Sequence, residues 1–157
     1  MKKNLQHKYL IYKLIKIYNV LAMKKYTLYT DAGSRGNPGK SSYGFLLFED
    51  GFLLDFEGKY LGIKTNNQAE FTAMERGLIM AVQYGIKDLD CFSDSQLLIR
   101  QINKEYKIKD LILKEIQARI SILSENFDKI TFTHVLREKN KFADKMVNLI
   151  LDANKIL

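Results

Sequence analysis

The sequence has 157 residues, 46% of them hydrophobic, and carries a formal net charge of +7. A chain of this length and composition can form one domain with a buried core. Its one cysteine, Cys91, excludes an internal disulfide and fits a reducing, cytoplasmic compartment. No apolar stretch is long enough to span a membrane, so we expect no membrane partner.

The positive charge is concentrated in the N-terminal segment. Residues 1–25 hold seven lysines and no acidic residue, and the remaining 132 residues carry 18 basic and 18 acidic side chains. Residues 1–22 are either a basic helix that rests on nucleic acid or membrane, or a disordered or wrongly annotated extension. We favour the second interpretation, with Met23 as the start of a single domain over residues 23–157.

Three strands open the predicted domain. Apolar and β-branched residues alternate over 25–30, Tyr43–Glu49 and Phe52–Tyr60, as they do in half-buried strands. Asp50 and Gly51 form a two-residue hairpin signal between the second and third strands. These strands therefore predict an antiparallel meander.

The first strand is expected to end at Asp31. The glycines and the single proline that follow, at Gly33, Gly36, Pro38 and Gly39, predict a turn. A carboxylate at a strand end is held by the sheet and open to solvent.

Helices and strands alternate in the second half of the sequence. We predict a helix from Thr65 or Asn66, a strand over Leu89–Ser93, a helix from Ser95, a helix from Asp110, a strand over Ile130–Val135 and a last helix over 140–153. This order predicts an α/β fold, with a mixed five-stranded sheet of three antiparallel strands followed by two parallel strands, and helices on both faces.

Four acidic residues occupy unusual places in this pattern. Asp31 and Asp94 follow strands one and four, Glu70 lies on the inward stripe of the first helix, and Asp144 borders the buried face of the last. If strands one and four are neighbours, Asp31 and Asp94 lie side by side at one edge of the sheet, and carboxylates that close repel one another unless cations lie between them. Oxygen ligands without His or Cys suit Mg²⁺, with Mn²⁺ as the other candidate.

The motifs around these acids resemble ribonuclease H type 1 across nearly everything from Lys25 to Asp152. The matching pieces, in order, are Thr30-Asp31 with Gly36-Asn37-Pro38-Gly39, Thr65-Asn66-Asn67-Gln68-Ala69-Glu70, Ser93-Asp94-Ser95-Gln96, and Arg137-Glu138-Lys139-Asn140 with Ala143-Asp144. The resemblance implies a ribonuclease H-like fold. It also implies a nuclease that cuts the RNA strand of an RNA–DNA hybrid and leaves a 3′-hydroxyl and a 5′-phosphate.

The resemblance assigns roles to individual residues. Asp31 and Asp94 would carry two metal ions, and Glu70 and Asp144 would complete the catalytic and metal-binding shell. The positions implied to contact the hybrid are Asn37, Thr65, Asn66, Asn67, Gln68 and Arg137. The other interpretation of the amide residues is that they serve capping and turns.

Two features depart from many relatives and leave other functions open. The chain has no Trp, and residues 105–109 are too few for a basic protrusion, so it resembles the short form of the family. His134 lies in a predicted strand rather than a flexible loop.

Two other functions remain: a reverse-transcriptase-like domain acting on double-stranded RNA, and a non-catalytic hybrid-binding module. We expect a monomer.

Overall fold

A computed structural model describes residues 2–21 and 23–154. The helices are α1 (Lys2–Leu21), α2 (Asn66–Gln83), α3 (Gln96–Ile102), α4 (Leu111–Ser124) and α5 (Lys141–Ala153), with a short 3-10 helix at Arg137–Lys139. The strands are β1 (Tyr26–Gly36), β2 (Gly39–Glu49), β3 (Phe52–Lys64), β4 (Asp88–Ser93) and β5 (Lys129–His134). No helix in these ranges is both long and apolar enough to cross a membrane.

The five strands form one sheet in the order β3-β2-β1-β4-β5. Pairing is antiparallel between β1, β2 and β3 and parallel from β1 through β4 to β5. Asp50 and Gly51 both have positive φ angles, as the predicted hairpin turn requires. The α/β class and the mixed sheet are therefore confirmed.

Helices cover both faces of the sheet. Side chains alternate along a strand, and Leu28 contacts Gly77 of α2 while Gly33, five residues later, faces Val147 of α5. The α5 helix approaches the sheet closely because glycine stands beneath it: a Cβ at Gly58 would lie 2.5 Å from Ile150 Cδ1. The main core fills the α2 side and includes Cys91, which is fully buried.

Strand β1 runs farther than the sequence predicted. It continues through Asp31 to Gly36, because antiparallel pairing with β2 extends to the pair Gly36 and Gly39. Parallel pairing with β4 stops earlier, at Thr30 and Ser93. Asp31 therefore lies where β1 loses its neighbour on one side, and the expectation that the strand ends there is wrong.

The N-terminal segment is helical in the structure, whereas we favoured a disordered or wrongly annotated extension over a basic helix. An unbroken run without proline or glycine allows α1 to form, but every side chain described in it is exposed, including seven large apolar ones, among them Tyr9, Ile11 and Leu14. The domain boundary at residues 22 and 23 stays a prediction.

Candidate active site

The four predicted acids line one cleft. Asp31, Glu70, Asp94 and Asp144 share a cavity of about 390 Å³ with Asn66 and Arg137, among other residues. The sheet brings Asp31 and Asp94 together because they directly follow the paired residues Thr30 and Ser93 of adjacent strands. Glu70 arrives from α2 on one face of the sheet, and Asp144 from α5 on the other.

Capping interactions fix the two helices that follow β3 and β4. Thr65 Oγ1 accepts the backbone N–H of Gln68, and Gln68 Oε1 accepts that of Thr65, which forms a capping box at α2. Ser95, rather than Asp94, caps α3 by accepting the N–H of Leu98. The Asp94 carboxylate is thereby left for the cleft.

Two of the acids are deeply buried. Asp31 is 5% exposed and Glu70 is 4% exposed. Burial, reinforced by the charge of Asp94, raises the pKa of Asp31 to about 8. Burial and the charges of Asp31 and Asp94 raise the pKa of Glu70 well above its ordinary range. Glu70 Oε2 is buried and has no hydrogen-bond partner in the described part of the chain.

The other two acids are half-buried and have partners. Arg137 donates to Asp144 Oδ1 from Nη2 at 2.5 Å and from Nε at 3.1 Å. Asn140 Nδ2 donates to Asp94 Oδ1 at 3.2 Å. Within residues 2–21 and 23–154, no three His, Cys, Asp or Glu side chains already have the spacing of a metal site. The acids share the cleft, and Asp144 is held by a protein cation.

The predicted substrate residues are only partly brought together. Asn66 lines the cleft and its N–H donates to Asn37 Oδ1 at 3.1 Å, which ties the β1–β2 turn to the start of α2. Thr65 and Gln68 serve the capping box, as the alternative interpretation expected. Asn67 follows Asn66 in the first turn of α2. These contacts do not test a role in binding.

Asn140 belongs to the last matching motif, but sequence reasoning assigned it no role. This side chain is 2% exposed, and its Nδ2 also donates to the Thr30 carbonyl at 2.8 Å. Its place in that motif, four residues before Asp144 at the start of a helix, was the available signal. His134, by contrast, ends β5 opposite Ser93, as the strand pattern predicted.

Comparisons with known proteins agree with this geometry. The chain matches the reverse transcriptase-like family over residues 30–150. It is 37% identical over 125 residues to ribonuclease HI of Halobacterium salinarum, which covers 79% of this chain and 63% of that protein. The chain thus spans less than two thirds of that relative.

Solved structures give the same result. RNase H1 of Halobacterium salinarum superposes with a TM-score of 0.79 at 35% identity, covering 82% of this chain and 98% of that structure. LC11-RNase H1 in complex with an RNA/DNA hybrid superposes with a TM-score of 0.78 at 34% identity, covering 83% and 99%. Together with the four acids in one cleft, these matches show that the chain belongs to the ribonuclease H type 1 family.

Proposed function

We propose that this chain hydrolyses the RNA strand of RNA–DNA hybrids with the help of divalent metal ions. The observation that carries the proposal is the convergence of Asp31, Glu70, Asp94 and Asp144 on one cleft at the end of the β1–β4 pairing. A catalytic role explains why two carboxylates are buried beside each other at a cost to folding.

The donor set fits magnesium, or manganese in its place. All four side chains offer hard oxygen ligands, and these two ions prefer such ligands. The unpartnered Oε2 of Glu70 and the raised pKa values of Asp31 and Glu70 are what a cation would relieve. Asp31 and Asp94 would hold the ions between them, and Glu70 and Asp144 would complete the set of ligands.

Two ions held there would activate a water molecule and stabilise the leaving oxygen of the phosphodiester. The products would be a 3′-hydroxyl and a 5′-phosphate. Glu70 would lie near the 2′-hydroxyl of the ribose at the cut, the group by which a protein tells RNA from DNA. Its buried position in the first turns of α2 gives that carboxylate a fixed orientation.

Amide side chains beside the cleft supply donors for the minor groove. The oxygens of Asn37 and Gln68 accept backbone N–H groups, while their amide nitrogens make no hydrogen bond within the described residues. Bases present acceptors in the minor groove, so donors are the groups needed there. Asn66 and Asn67 extend this amide surface along the start of α2, and Thr65 would contact a phosphate of the DNA strand.

Arg137 is proposed to contact the substrate backbone. Its side chain is 73% exposed although it is paired with Asp144, and guanidinium groups bind phosphate as well as carboxylate. If Asp144 served as a metal ligand, Arg137 would be free to pair with a phosphate of the bound strand.

We further propose a monomer that acts in the cytoplasm. The buried thiol of Cys91 fits a reducing compartment. The RNA/DNA hybrid bound to LC11-RNase H1 makes the same kind of duplex the expected partner here.

A comparison of three duplexes tests the proposal. Labelled RNA–DNA hybrid, double-stranded RNA and double-stranded DNA are each incubated with Mg²⁺, Mn²⁺ or excess chelator. We expect cleavage of the RNA in the hybrid, dependent on metal. Equal cleavage of the DNA duplex, or hybrid binding without cleavage under any metal, would contradict the proposal.

A further inference from the structure

Asn140 makes hydrogen bonds to the three segments that carry Asp31, Asp94 and Asp144. Its Nδ2 donates to the Thr30 carbonyl, one residue before Asp31, and to the Asp94 carboxylate. Its own carbonyl accepts the N–H of Asp144 at 3.1 Å. One buried residue therefore contacts β1, the exit of β4 and the first turn of α5.

The usual reason for an asparagine at this place is absent. Asn140 holds the N-cap position of α5, where an Asn side chain ordinarily accepts a backbone N–H, yet its side chain makes no capping bond. Its Oδ1 is buried and has no partner among the described residues. An unpaired buried oxygen costs free energy. The favourable contribution of this side chain therefore comes from the two hydrogen bonds that its Nδ2 donates.

We propose that Asn140 is a positioning residue that fixes the Asp94 carboxylate relative to Asp31 and thereby sets the affinity of the cleft for metal. The proposal rests on the proposed function above. Without the Nδ2 donor, the Asp94 carboxylate loses a hydrogen bond that sets its orientation beside Asp31. Groups that orient metal ligands typically contribute about 10- to 100-fold to metal affinity.

Four proteins test this role: wild type, Asn140→Ala, Asn140→Leu and Ile120→Val. Asn140→Leu removes the donor but keeps the volume. Ile120→Val removes one buried methyl from α4, which contributes no residue to the cleft, and controls for a loss of stability alone. Two quantities are measured: the rise in melting temperature on adding Mn²⁺, and the Mg²⁺ concentration that gives half-maximal hybrid cleavage.

We expect both Asn140 variants to need about 10- to 100-fold more Mg²⁺ for half-maximal cleavage. We also expect a smaller Mn²⁺-induced rise in melting temperature, whereas Ile120→Val keeps the wild-type values of both. Lower melting temperatures with an unchanged metal requirement would overturn the proposal, as would failure of both Asn140 variants to fold. If wild type cuts no hybrid, the proposed function fails, but the melting shift still tests Asn140.

Discussion

At the scale of single residues, the pair formed by Asp31 and Asp94 decides the chemistry. We expect Asp31→Asn and Asp94→Asn each to reduce hybrid cleavage by about 100- to 1,000-fold, the order of loss seen when a preorganised charge-stabilising group is removed from an active site. The fold should persist, because an amide fills the same volume and relieves carboxylate repulsion. Cleavage rates and circular dichroism spectra of both variants check this, and near wild-type turnover in either would contradict it.

The raised pKa of Asp31 also predicts a pH dependence of stability in the metal-free protein. Its folded-state pKa of about 8 stands above the ordinary 3.8. Between these two pKa values the folded protein keeps the Asp31 proton and the unfolded chain releases it. The stabilisation is fully present below the unfolded-state pKa and is lost as pH rises through the folded-state pKa. The pKa shift of Glu70 acts in the same direction.

Urea unfolding in excess chelator at about pH 5 and about pH 8 measures this effect. The free energy of unfolding of wild type should be lower at the higher pH. The decrease should be smaller in Asp31→Asn, because of the two buried acids only Glu70 is left to contribute. A fall of equal size in both proteins would show that Asp31 does not carry the effect.

At the scale of elements, the capping box holds the start of α2. Thr65→Ala should lower the free energy of unfolding by about 1 kcal/mol, because the N–H of Gln68 loses its acceptor. Thr65→Ser keeps a hydroxyl and should recover most of the loss. Denaturant unfolding of the two variants separates the cap from other effects of position 65, and equal stability of both variants would rule out the cap.

Patterns along the chain were sufficient to predict most elements and to single out four acids that the fold brings into one cleft. Periodicity indicated the inward face of α2, so Glu70 was recognised as a carboxylate placed among core positions. Contacts that depend on tertiary packing could not be read this way. The Arg137–Asp144 pair and the bonds of Asn140 to Thr30 and Asp94 join residues from separate elements, and no local pattern encodes their orientation.

The end of β1 shows the same limit. Glycines at 33 and 36 indicate a turn, but pairing with β2 outweighs that local signal as far as Gly36. Asp31 is therefore supported by an antiparallel strand on one side and is open on the other, where parallel pairing has ended. This placement depends on two neighbouring strands and not on the sequence around Asp31.

At the scale of the whole molecule, charge is divided between residues 1–25, which carry seven lysines and no acidic residue, and residues 26–157, in which basic and acidic side chains balance. A chain beginning at Met23 should cleave hybrid at the same saturated rate, because every acid of the cleft is retained. We also expect unchanged affinity and salt dependence, since no described residue of α1 lines the cleft.

Binding of both forms at several salt concentrations is the measurement. Log affinity falls with log salt, and each lost phosphate contact would make this negative slope shallower by about 0.7 to 0.9. A slope that becomes shallower by about two units on truncation would instead make α1 part of the substrate-binding surface.

The chemistry of the cut ends tests the central claim most directly. RNA labelled at its 5′ end is annealed to DNA and cleaved with Mg²⁺, and the new ends are identified. If metal-held carboxylates direct water to the phosphodiester, the fragments carry 3′-hydroxyl and 5′-phosphate ends, and chelator stops their formation. Fragments ending in a 2′,3′-cyclic phosphate would show attack by the 2′-hydroxyl, and cleavage that continues in chelator would show that no metal is needed; either result would contradict the account.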